Sequence, residues 1–115
     1  MEDKKIDILG SEWTIKFLPK TVDPILEDCD GYCDWTTRTM VVEDITGLGS
    51  TLGNLKAYHS KILRHEIVHA FLFESGLYEN SQEIDAWARN EEMVDWIARQ
   101  GLKLYKAWEV AGALD

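Results

Sequence analysis

The chain has 115 residues, 45% of them hydrophobic, and a formal net charge of −9. That length supports one domain, residues 1–115, with one modest core. The acidic balance argues against a nucleic-acid or anionic-membrane partner, because either needs a basic face. No apolar run approaches the length of a membrane span. The start, Met1-Glu2-Asp3-Lys4-Lys5, lacks the basic-then-apolar pattern of a signal peptide. A cytoplasmic protein is expected, with its two cysteines, Cys29 and Cys33, reduced.

In chain order, the first half reads as strands. Ile6-Asp7-Ile8-Leu9 runs into a turn at Gly10-Ser11. Trp13, Ile15 and Phe17 then alternate with polar residues, the period of a half-buried strand. Pro19 and Pro24 bracket a loop or short helix through Leu26. Tyr32 to Trp35 and Thr39 to Val42 form an expected hairpin, turning at Thr36-Thr37-Arg38. Gly47, Gly49 and Gly53 mark a loop. A helix follows from an N-cap at Asn54 to a stop at Gly76. It is apolar nearly all round between Lys61 and Phe73, which predicts a buried helix covered on both sides. Residues 77–89 read as loop or short helix. A last helix runs from about Asn90 to Gly112, and Gly101 inside it predicts a close packing contact.

The central helix carries His65-Glu66-Ile67-Val68-His69, the pattern H-E-x-x-H. On a helix, His65 and His69 lie one turn apart on one face and can share a tetrahedral Zn²⁺. Glu66 can then reach a water held by that ion and act as general base. A catalytic zinc needs a third protein ligand. On the last helix Val94, Ile97, Ala98, Gly101, Leu104, Tyr105 and Trp108 form an apolar stripe. Glu91 and Asp95 sit together at its edge, whereas Glu92 points away. Glu91 is therefore the first choice as ligand. Asp95 would accept the free ring N–H of a liganding histidine. Glu92 remains an alternative among the acids, and Cys33 is the rival from the strands. His59, about 120° round the helix from His65, is expected half exposed. His59, Tyr32, Tyr58 and Tyr78 compete as donors to a transition-state oxyanion. The five tryptophans are read most simply as core residues.

His65-Glu66-x-x-His69 followed by Asn90-Glu91-x-x-x-Asp95 resembles the gluzincin, or thermolysin-like, metallopeptidases. That resemblance implies Glu91 as third ligand and Asp95 behind a zinc histidine. From Gly31 to Gln100 the chain is similar to a narrower group, small HExxH proteins of phages, prophages and Gram-positive bacteria. The chain is far shorter than full gluzincins, and no histidine follows Glu91 to match their oxyanion donor. Gly31-Tyr32-Cys33 has a faint likeness to the cysteine region of peptide deformylases.

The expected fold is α+β: a minimal zincin-like domain in which a small twisted sheet packs on the buried motif helix, and a C-terminal helix carries the third ligand. The resemblance implies one strand edging the cleft, with Thr39 to Val42 the candidate. The expected function is zinc-dependent hydrolysis of peptide bonds, with Zn²⁺ as cofactor and a peptide or protein as partner. Fe²⁺, Co²⁺ or Mn²⁺ can occupy similar sites. The alternatives are a non-catalytic, zinc-stabilised binding module and, third, a deformylase-like hydrolase.

Overall fold

A two-residue turn starts the fold. Leu9 and Gly10 both take positive φ (50° and 91°), which makes a type I′ turn between Ile8 and its partner Ser11. Strands β1 (Lys4–Ile8) and β2 (Ser11–Leu18) are thereby antiparallel neighbours. In this computed structural model residues 2–47, 52–80 and 87–114 are described. Gly49 of the expected glycine loop, and residues 81–86 of the connection between the helices, lie outside them. After a 3-10 turn at Pro24–Glu27 come β3 (Gly31–Asp34) and β4 (Thr39–Glu43), joined as the expected hairpin. The sheet order is β1-β2-β4-β3, with β2 and β4 parallel and the other pairs antiparallel.

The strand expected at the edge, Thr39 to Val42, is therefore interior, and the edges are β1 and β3. Met40, Val41 and Val42 are all buried, as befits a strand paired on both sides and covered on both faces.

Helix α1 (Leu55–Glu74) lies across β3 and β4. Its ends are set locally. The Asn54 side chain accepts the Ala57 N–H at 3.0 Å, and Gly76, at φ 84°, donates its N–H to Phe73 O at 3.0 Å. The sheet-facing side joins Ile62 and Ala70 to Ile8, Trp13, Ile15, Phe17, Met40 and Val42 in one core. A short helix, α2 (Leu77–Asn80), and a 3-10 turn at Trp87–Arg89 lead to α3 (Glu91–Val110). Leu72 of α1 meets Ala88 and Val94 in a second cluster, so α1 is covered from both sides as its composition predicts. No described helix is long and apolar enough to cross a membrane.

Three expectations need correction. Gly101 makes no close contact, since an added Cβ would meet nothing within 4 Å. Only its first half seats α3 on the body: Val94 and Ala98 are buried, whereas Tyr105 and Trp108 are about half exposed. Among the tryptophans whose side chains are described, only Trp13 is core; Trp35, Trp96 and Trp108 are exposed. Trp35 stands on the β3–β4 turn, Trp96 on the face of α3 away from the apolar stripe, and Trp108 on the stripe but in the half of α3 that does not pack.

Candidate metal centre

The first turn of α3 brings the third donor to the histidines. Asn90 caps that helix, its side chain accepting the Met93 N–H at 2.7 Å, so Glu91 stands at the first helical position. Arg64 of α1 also donates from Nε to Ala98 O at 2.7 Å, tying the two helices together beside the site. The result is a triangle of donors. His65 Nε2 lies 3.1 Å from His69 Nε2 and 3.1 Å from Glu91 Oε2, and His69 Nε2 lies 3.0 Å from Glu91 Oε1. Two ligands of a tetrahedral zinc, each about 2.0–2.1 Å from the ion, are about 3.3 Å apart. The triangle thus has nearly the size of three corners of a zinc tetrahedron, which leaves one corner for another ligand. Among the described residues these three form the one group of donors that could hold a metal ion.

The protonation logic supports the same fit. His65 Nδ1 is 3.4 Å from Asp95 Oδ1, so a proton on Nδ1 has an acceptor and the Nε2 lone pair faces the other donors. Asp95 is held in turn by Arg99, whose Nε donates to Oδ2 at 2.6 Å and keeps the carboxyl below its ordinary range. Burial lowers the pKa of His69, favouring the neutral ring that a metal needs. Glu92 is exposed and outside the donor group, as its place on the helix predicts.

Glu66 is 4% exposed and lines the cleft with His65 and Glu91. Burial raises its carboxyl pKa to about 7, against the opposing effects of His65 and of the Cys33 thiol. The strand β3 builds its seat. Gly31 and Cys33 alternate onto the face toward α1. At Gly31 an added Cβ would stand 3.3 Å from Glu66 Oε2. The Cys33 thiol donates to Glu66 Oε1 at 3.4 Å and to its backbone oxygen at 3.3 Å. Burial and the nearby carboxylate push the Cys33 thiol pKa well up, so it stays a thiol. Cys33 is therefore a neighbour of Glu66 and not one of the converging donors. Both cysteines are free.

Of the donors considered for an oxyanion, two drop away. His59 is buried, not half exposed. Its Nε2 accepts the Ile45 N–H at 3.3 Å and anchors the chain after β4. Tyr58 packs against the core. Tyr32 and Tyr78 both line the cleft. The Tyr32 hydroxyl donates to Asp23 Oδ2 at 2.5 Å, and burial with that bond raises its pKa to about 12.

Several contacts of the site are not read from the sequence, although Cys33 and Tyr78 are weighed there in other roles, as a ligand and as an oxyanion donor. The Arg99 contact had a signal, an acid and a base four residues apart on a helix. The Gly31 and Cys33 seat had a weaker one, two small residues two apart on a strand. The aromatic wall of the cleft, formed by Trp13, Trp35, Phe73 and Tyr78, had none, because it gathers four separate segments. Compared with known proteins, the chain matches no protein-family model, no curated protein and no solved structure.

Proposed function

We propose that the chain is a zinc-dependent peptidase of the small gluzincin-like type. The observation that carries this reading is the convergence of His65, His69 and Glu91 at 3.0–3.1 Å beside a buried Glu66. His65, His69 and Glu91 hold the ion, and Asp95 orients His65. A bound Zn²⁺ supplies a Lewis acid for the scissile carbonyl and lowers the pKa of water to about 7. Glu66, buried beside His65 and lining the cleft, takes a proton from the attacking water and returns it to the leaving amine. The outer edge of β3 offers backbone groups to which an extended peptide can add as a strand.

The test compares the zinc-loaded protein with Glu66→Gln on a peptide library, with formyl-peptides alongside. The parent cleaves peptide bonds, and the variant keeps its zinc but loses turnover by at least about a hundredfold. Cleavage by Glu66→Gln at the parent rate contradicts the mechanism. Release of formate alone supports a deformylase-like hydrolase, and zinc binding without any cleavage supports a non-catalytic module.

A further inference from the structure

A general base works only when its carboxylate points the right way. Glutamate reaches its carboxylate through several rotatable bonds, and burial alone does not choose among their settings. Asp95 orients His65 from α3. For Glu66 the partner comes from the sheet. Cys33 Sγ lies 3.4 Å from Glu66 Oε1 and 3.3 Å from the Glu66 backbone oxygen. One thiol therefore contacts both the head and the root of the same side chain, which restrains the torsions between them.

The two carboxylate oxygens are thereby made unlike. Oε1 accepts from the thiol. Oε2 lies beside Gly31, where even a methyl group would stand 3.3 Å from it, so the missing side chain leaves that oxygen room. Gly31, Cys33 and Glu66 line one cleft with His65 and His69. The donor type also suits the task. A thiol is a weak donor, so it can orient a carboxylate without engaging its charge as strongly as a hydroxyl or an ammonium would. Cys33 also packs against the main core, so a plain packing role has to be separated from an orienting one.

We infer that Cys33 is the positioning residue of Glu66: its thiol pins Oε1 and so presents Oε2 to the metal centre. This rests on the peptidase reading and adds the residue that sets the general base. In this role Cys33 touches neither metal nor substrate and acts through Glu66 alone.

Two measurements test it, and neither needs turnover. The first is the infrared S–H stretch, with the Cys33 band identified by its loss in Cys33→Ala. A hydrogen bond to a carboxylate weakens the S–H bond. The Cys33 band should therefore lie below that of Cys29, whose thiol donates to Ile25 O at a longer 3.6 Å. In Glu66→Gln the acceptor becomes neutral, and the Cys33 band should move up. A band that stays in place in Glu66→Gln overturns the proposal. The second is calorimetry of acetohydroxamate binding to the zinc-loaded protein. A hydroxamic acid gives up a proton when it binds zinc, and a well-placed Glu66 takes it. Cys33→Ala should weaken binding about three- to tenfold with zinc content unchanged, and Cys33→Ser, which restores a donor, should recover part of the loss. In the Glu66→Gln background Cys33→Ala should have no further effect. Equal losses in the two backgrounds, or Cys33→Ser no better than Cys33→Ala, would assign Cys33 to packing and overturn the proposal. Failure of acetohydroxamate to bind the zinc-loaded parent contradicts the peptidase reading instead, and the infrared result decides the Cys33 bond independently of it.

Discussion

The same substitution, glycine to alanine, should have opposite signs at two positions of this chain. At Gly31 an added Cβ would stand 2.8 Å from Val41 O and 2.9 Å from Ile62 Cγ2. The first is backbone of the neighbouring strand, and the second belongs to a core residue 4% exposed. Neither can retreat without moving β4 or α1. Overpacking of this kind costs about 1–3 kcal/mol. The reduced freedom of the unfolded chain returns about 0.4–1 kcal/mol, leaving a net loss of about 1–2 kcal/mol. At Gly101 the Cβ would meet nothing within 4 Å, so only the helix preference for alanine acts, about 0.5–1 kcal/mol in favour. In a domain of this size each kcal/mol moves Tm by about 4–6 °C. Gly31→Ala should therefore lower Tm by about 5–10 °C, and Gly101→Ala should raise it by about 3–5 °C. Thermal unfolding followed by circular dichroism, with chelator present so that metal does not contribute, measures both. A neutral or stabilising Gly31→Ala would refute the close approach of β3 to α1 on which the seat of Glu66 depends.

Two further outcomes follow from the site. Burial raises the Glu66 carboxyl pKa from 4.5 to about 7, so between those values the folded metal-free protein holds a proton that the unfolded chain has released. The stability this adds is fully present below 4.5 and lost as pH rises through 7. Relative to Glu66→Gln, the metal-free parent should lose on the order of 2 kcal/mol between pH 5 and pH 8 in urea titrations. A difference that does not change with pH would count against the buried, protonated carboxyl. Asp95→Ala removes the acceptor for His65 Nδ1 and should weaken zinc binding about 10–100-fold in a chelator competition. An unchanged affinity would show that Asp95 serves Arg99 and not His65.

What was legible in the sequence was local. Asn54, Gly76 and Asn90 mark helix ends because each acts on its own helix terminus within a few residues. Glu91 and Asp95 were separable from Glu92 because the helical period fixes faces without knowledge of the partner. Strand order was not legible in this way. The parallel pairing of β2 with β4 joins Ile15 to Met40 across a loop and another strand. The unbroken apolar run Met40-Val41-Val42 is the one signal that β4 is interior; the hairpin with β3 is present, and it is the expected place at the sheet edge that fails. His59 shows the same limit, since its burial depends on the Ile45 N–H from the segment before the helix. The aromatic wall of the cleft depends on four segments meeting, and composition alone places tryptophans in the core.

The central claim is that His65, His69 and Glu91 hold a metal. Metal content by mass spectrometry tests it, on the protein as purified and after equilibration with zinc, for the parent, Glu91→Ala, Glu92→Ala and Cys33→Ala. The predicted result is one zinc per chain, lost in Glu91→Ala and kept in the other two. Loss in Cys33→Ala with retention in Glu91→Ala, or no bound metal in the parent after equilibration, would contradict it.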